Sequence, residues 1–258
     1  MLSFWFGWLT WAAIGTVVGL FLGLTGAGGA MIGVPLLVHI AGLSIKAATG
    51  VSLIAVVAGA LLNWILQRHY TDYRLAMILF STSMIGGLVG RPIKTHLHEN
   101  AITALFIAVG LISIWSIWKK KKSPRASTDG HPPAGVSYYF ALAVAGIILG
   151  LLTTLTGLGG GILLVPFLVS YRGLSITHAT ATSLLTVSAS SSFVMILQFQ
   201  NIMTYAEWPT LVSLCIGILI AAQLTKILIQ KIPTQRLDPI RKILITLIVL
   251  ISAIGLLV

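Results

Sequence analysis

A glycine-rich signature occurs twice in this chain, each time within apolar sequence long enough to cross a membrane. The first copy reads Gly23-Leu24-Thr25-Gly26-Ala27-Gly28-Gly29-Ala30-Met31-Ile32-Gly33-Val34-Pro35. The second reads Thr154-Leu155-Thr156-Gly157-Leu158-Gly159-Gly160-Gly161-Ile162-Leu163-Leu164-Val165-Pro166. Clustered glycines release the backbone from helical angles and proline removes a helix donor, so neither copy suits an unbroken helix. Backbone groups freed at membrane depth cost several kcal/mol each if they face hydrocarbon, so such breaks survive only where they line a wet cavity or bind something.

The surrounding sequence is that of an integral membrane protein: 57% hydrophobic and only 8% charged residues, with a mean hydropathy of +1.01. Soluble domains carry about 25% charged residues. Apolar segments fall at 4–24, 29–43, 45–66, 74–93 and 100–118, and again at 136–156, 160–172, 176–199, 208–230 and 239–258. The sequence therefore divides into a first transmembrane repeat, 1–118, a basic cytoplasmic linker, 119–135, and a second transmembrane repeat, 136–258. The run from Phe4 to Leu22 has neither a basic leading region nor a small-residue cleavage site, and is expected to stay as the first helix. The expected fold is all-α and multi-pass in a bacterial-type inner or plasma membrane, with short or discontinuous helices at the glycine signatures.

The two sets of segments match without gaps at a spacing of 131 residues. Gly26 meets Gly157, Pro35 meets Pro166, Gly42-Leu43-Ser44-Ile45 meets Gly173-Leu174-Ser175-Ile176, and Ala48-Thr49 meets Ala179-Thr180. Ser52-Leu53 and Ser183-Leu184 continue the register, which points to duplication. Orientation follows from the basic loops: the linker and 226–242 should both be cytoplasmic. Counting the short segment 160–172 as a crossing gives five spans per repeat and inverts one half relative to the other. It also leaves Lys46, Arg91 and Lys94 outside, against the charge rule. Making 29–43 and 160–172 re-entrant instead gives four spans per half and parallel repeats; the inverted arrangement is favoured.

The net charge of +11 lies in interhelical loops rather than on one face, so nucleic acid is not an expected partner. A lone cysteine, Cys215, cannot form an intramolecular disulfide and reads as packing. No clustered metal ligands and no serine, histidine and acid constellation stand at membrane depth, so neither an enzyme nor a metal or cofactor site is expected. The glycine clusters do not continue as a phosphate-cradling loop, because no Lys-Ser/Thr pair follows them, nor as a dinucleotide fingerprint. All five acids fall in loops or at helix ends.

What remains is a site for a small anion. Where the chain restarts as a helix after the glycines, its free amides and positive dipole end face the break. The candidate binding residues are Thr25, Gly26, Gly28, Gly29, Thr49 and Ser52 in the first half, and Thr156, Gly157, Gly159, Gly160, Gly161, Thr180 and Ser183 in the second, with Pro35 and Pro166 structural at the breaks. Two readings stand beside each other: glycines can simply permit close helix packing, and hydroxyls can bond back to their own helix. Lys46 and His178 read as interfacial anchors, Arg91 as a snorkelling helix end, His39 as structural, and Asn63 and Gln198 as cavity-lining or as interhelical glue.

The duplicated element, Gly28-Gly29 to Pro35 and Gly159-Gly160 to Pro166, followed by Ala-Thr-x-x-Ser-Leu at 48–53 and 179–184, resembles the TauE/SafE family of membrane permeases over nearly the whole chain. The resemblance implies transport, usually outward, of small sulfur-containing anions such as sulfite or organosulfonates. The alternatives are an anion channel, or a transporter of another small anion or carboxylate. Expected partners are the anionic substrate, the bilayer and a coupling ion, proton or sodium; oligomeric state does not follow. Ala30 stands where the second copy has Gly161, and Gly50-Val51 where it has Ala181-Thr182, so the two half-sites are unequal.

Overall fold

A computed structural model describes residues 2–25, 29–118, 136–205, 207–231, 246–247 and 249–250. These are helical, with no strand among them: α1 (Leu2–Thr25), α2 (Gly29–His39), α3 (Ile45–Gln67), α4 (Tyr73–His96), α5 (Glu99–Trp118), α6 (Val136–Thr156), α7 (Gly161–Arg172), α8 (Ile176–Leu197), α9 (Phe199–Tyr205) and α10 (Trp208–Lys231). The expected segment 239–258 and the linker 119–135 lie outside the described residues, apart from two short pieces of the former. Among the described residues, five helices, in α3, α4, α6, α8 and α10, are long and apolar enough to cross a membrane. Large apolar side chains face outward, among them Met77, Phe140 and Ile196, while Thr153, Thr154, Thr182, Thr186 and Ser191 are buried. That distribution suits a bundle bathed in lipid.

Local chemistry sets the helix ends. Ser44 and Ser175 cap α3 and α8 by accepting from the amides of Ala47 and His178. Asp72 caps α4 by accepting from Leu75 N at 3.1 Å. Gly173 closes α7 in the left-handed region at φ 66°. Pro35 and Pro166 sit inside α2 and α7 rather than at the breaks themselves. Each falls in the second turn, where its missing N–H removes a single helix bond and the helix continues.

Glycine contacts fix the relative directions of the helices. Gly146 lies against Leu79 and Thr82, Gly150 against Ser83, and Gly90 against Thr154, so α4 and α6 run parallel with their backbones touching. Gly15 against Leu214 and Gly19 against Ile218 and Ala221 give α1 and α10 the same relation. Between these pairs, α3 and α8 run antiparallel. Gly50, early in α3, faces Gln198 and Ile202 beyond the end of α8, while Tyr70, beyond α3, makes an edge contact with His178 at the start of α8, 5.5 Å between ring centroids. α7 turns back along α6. Gly160 lies against Leu149, and Arg172 ends beside Asp72 at the start of α4, with Nη2 to Oδ2 at 3.9 Å. The α6–α7 hairpin thus opens and closes at one end of the bundle, the end reached by the linker, and its apex lies toward the other.

Candidate functional site at the helix break

Thr156 ends α6 with its hydroxyl bonded to Leu152 O at 2.7 Å, and the same oxygen accepts from Leu158 N at 3.4 Å. Three glycines then take left-handed angles: Gly157, Gly159 and Gly160 at φ 68°, 69° and 65°. Any other residue type would be strained there. The reversal is also packed tight. A Cβ on Gly157 would run into the Thr49 carbonyl and come within 2.5 Å of Ser52 Oγ. One on Gly159 would lie 2.6 Å from Val56 and 2.9 Å from Val187. Glycine is needed here twice over, for its angles and for its size.

α7 restarts at Gly161. Gly160 O accepts from both Leu163 N and Leu164 N at 3.1 Å, and the amides of Gly161 and Ile162, in the first turn, have no acceptor within the helix. Gly161 lines a small cavity of about 10 Å³, room for about one water, with Leu158, Leu22 of α1, Val56 and Ala60 of α3, and Ser183, Leu184 and Val187 of α8. The cavity therefore sits where α3, α8 and the second break meet. Its walls are mostly hydrocarbon, with one serine and one helix N-terminus as the polar elements. Ser191, buried beside Gly159, has a hydroxyl with no partner among the described residues.

The candidate hydroxyls separate into different roles. Ser52 Oγ joins α3 to the break: it lies 3.0 Å from Thr49 O and 3.2 Å from Gly157 O and donates to this pair. Thr49 Oγ1 bonds back to Lys46 O at 3.0 Å, and it is the Thr49 backbone that touches Gly157. Ser183 is buried on the cavity wall. Thr180 is half-buried one turn into α8 and shows no bond to the break. In the first copy, Gly26 and Gly28 lie outside the described residues; Thr25 and Gly29 close α1 and open α2, and the surroundings of their side-chain positions are likewise not described. Asn63 Nδ2 donates back to Gly59 O of its own helix at 2.8 Å, a bond within α3 and not one between helices. Arg91 is exposed, as a snorkelling side chain is.

Lys94, which the residue-by-residue sequence reading left aside, meets Gln198 and Lys46 near the apex, on the side away from the linker. Lys94 is 7% exposed, and its Nζ donates to Gln198 Oε1 at 2.9 Å. Gln198, buried at the end of α8, donates from Nε2 to Thr154 O at 3.4 Å, in the last turn of α6. Lys46 Nζ reaches Thr95 O at 3.4 Å. The available signal was the misfit itself, since these basic residues sit on the side where the charge rule expects few. No group of three or more metal-ligating side chains occurs among the described residues.

Comparison with known proteins agrees with this architecture. The family model described as sulfite exporter TauE/SafE matches residues 11–254. A "Probable membrane transporter protein" of Xylella fastidiosa (strain Temecula1) is 27% identical over 179 residues, 68% of this chain and 67% of the relative. The "Probable membrane transporter protein YunE" of Bacillus subtilis (strain 168) is 25% identical over 256 residues, 91% of this chain and 93% of its own length. A further "Probable membrane transporter protein", of Haemophilus influenzae, is 25% identical over 203 residues, 70% of this chain and 72% of the relative. No solved structure gives a significant match. The chain is a multi-pass bacterial membrane transporter and belongs to the TauE/SafE sulfite exporter family.

Proposed function

We propose that the protein is a secondary transporter, not an enzyme, that moves a small sulfur-containing anion such as sulfite or an organosulfonate outward by alternating access. The observation that carries this reading is the buried helix break. Gly157, Gly159 and Gly160 turn the chain back inside the bundle, and the N-terminus of α7 opens onto a cavity shared with Ser183 of α8. First-turn amides that lack an acceptor within the helix, and a positive dipole end, favour an anion there over a cation or a neutral solute. No carboxylate lies on the described cavity wall to repel one.

The antiparallel course of α3 and α8 supports reading the two halves as inverted repeats. Under that reading Val56 and Val187, 131 residues apart, face each other across the pseudo-two-fold axis and both line the cavity. Rocking of α4 and α6 against α1 and α10 around a fixed midplane site would expose it to each side in turn. The basic linker orients the open end of the α6–α7 hairpin toward the cytoplasm.

Flux into proteoliposomes tests the function. The expected outcome is saturable sulfite or sulfonate uptake, inhibited by substrate on the trans side, with a pH gradient distinguishing proton coupling from sodium coupling. Flux that rises linearly with concentration and ignores trans substrate would convert the reading to an anion channel. Transport of carboxylates but not sulfur oxyanions would replace the substrate class.

A further inference from the structure

We propose that Lys94, oriented by Gln198, supplies the positive charge of an oxyanion-binding site at the outward end of the transport path. The inference deepens the anion-transport reading above and rests on it. The lysine is buried among helices read as membrane-embedded, and its one bonded partner among the described residues is a neutral amide, at 2.9 Å. Two of the three ammonium N–H groups have no acceptor there, and the ion pair found among the described residues, Asp72 with Arg172, is at the opposite end. A buried cation without a counter-charge in a lipid-facing bundle marks a place where charge arrives from elsewhere.

The surroundings specify an anion. Gln198 donates to Thr154 O, which holds its carbonyl oxygen, an acceptor only, toward the ammonium. Gly87, Gly90 and Lys94 form one face of α4. Gly87 packs on Val194 and Gly90 on Thr154, so the ammonium lies beside the last turn of α6, immediately before the break. Lys46, bonded to the carbonyl of the residue next to Lys94, adds positive potential at the same mouth, and Arg91 is one turn away. The acids at this end, Glu99 and Glu207, are exposed and make no ion pair with either lysine.

A purely structural role as partner of the α6 C-terminus fits less well, because Gln198 and not Lys94 bonds the α6 carbonyl. Nor is the charge repeated: the residue 131 positions on is Thr225, buried, with a hydroxyl that lacks a partner among the described residues. One mouth carries a cation where the corresponding position of the other carries a hydroxyl. A sulfite or sulfonate group, with three oxygens and a negative charge, would take up the free ammonium donors.

Thermal unfolding of the purified full chain in micelles, titrated with sodium sulfite, methanesulfonate or sulfate against sodium chloride at matched ionic strength, tests the site. Wild type is expected to be stabilised by sulfite. In Lys94→Gln and in Gln198→Glu the apparent sulfite affinity should fall at least tenfold, while Lys94→Arg retains most of it. Gln198→Glu separates binding from structure, because its carboxylate would pair with Lys94 and keep the sulfite-free melting temperature at or above that of wild type. A sulfite shift that persists at the wild-type concentration dependence in both Lys94→Gln and Gln198→Glu overturns the lysine assignment and leaves anion transport standing. No shift of wild type by any of the three anions overturns both.

Discussion

Replacing Gly157 by alanine should damage the protein far more than the same change at Gly173, although the two glycines share one backbone conformation, φ 68° and 66°. Left-handed angles cost a non-glycine residue about 1–2 kcal/mol. At Gly173 that is the whole expected loss, because an added Cβ meets nothing within 4 Å. At Gly157 the Cβ drives into the Thr49 carbonyl and Ser52 Oγ, which adds overpacking of about 1–3 kcal/mol. Moving the break away from α3 would also release the Gly157 carbonyl from Ser52, 3.2 Å away, at about 1–3 kcal/mol for a buried unpaired acceptor. Some relaxation is shared, so the excess of Gly157→Ala over Gly173→Ala should be about 2–4 kcal/mol. At about 2–4 °C per kcal/mol for a chain of this size, the excess is about 4–16 °C in melting temperature, read by tryptophan fluorescence in micelles. Proteoliposome flux should survive Gly173→Ala and collapse in Gly157→Ala. Equal melting losses in the two variants would refute the seating of the break against α3.

Ser52→Ala should lower both stability and flux, since it unties the break, whereas Thr49→Val should be mild because the Thr49 hydroxyl serves its own helix; comparing the two by flux and melting checks which hydroxyl matters. Asp72→Ala should lower the melting temperature by the equivalent of about 1–2 kcal/mol, because it removes the α4 cap at Leu75 together with an ion pair that at 3.9 Å and partial exposure is worth at most about 1 kcal/mol. A double-mutant cycle on Ser83 and Ser190, whose hydroxyls meet at 2.6 Å between α4 and α8, should give a coupling of about 0.6–1.7 kcal/mol in unfolding titrations.

Much of the scaffold was readable in the sequence because apolar run length and small capping residues act locally. The runs at 45–66 and 74–93 became α3 and α4, and Ser44 and Ser175 started their helices. The break was legible for the same reason: contiguous glycines cannot be held helical cheaply. Pro35 and Pro166 fall in the second turn of helices that begin at the glycines, where a proline removes one bond without ending the helix. The hydroxyls were harder. Whether Thr49 or Ser52 reaches the break depends on rotation about the α3 axis, which is set by distant packing, and only Ser52 turned out to face Gly157. Lys94 and Gln198 are 104 residues apart, and no local pattern couples them.

The energetics of that lysine carry a last prediction. An ammonium held within membrane-spanning helices costs about 2.5–3.5 kcal/mol by insertion scales, and one hydrogen bond to a charged group returns about 1.5–3 kcal/mol. With a single neutral partner, the empty site is at best balanced and is held at some cost to stability. Removing the charge alone would strand Gln198 Oε1, so Lys94→Met should be close to neutral or slightly destabilising. Removing both, as Lys94→Met with Gln198→Leu, replaces a polar pair by hydrocarbon and should raise the anion-free melting temperature above that of wild type. The same double variant should lose sulfite-dependent stabilisation, a trade of function for stability expected of a binding site and not of a structural pair. If the double variant instead melts well below wild type without sulfite, the lysine and glutamine hold the helices together, and the charge was placed there for packing.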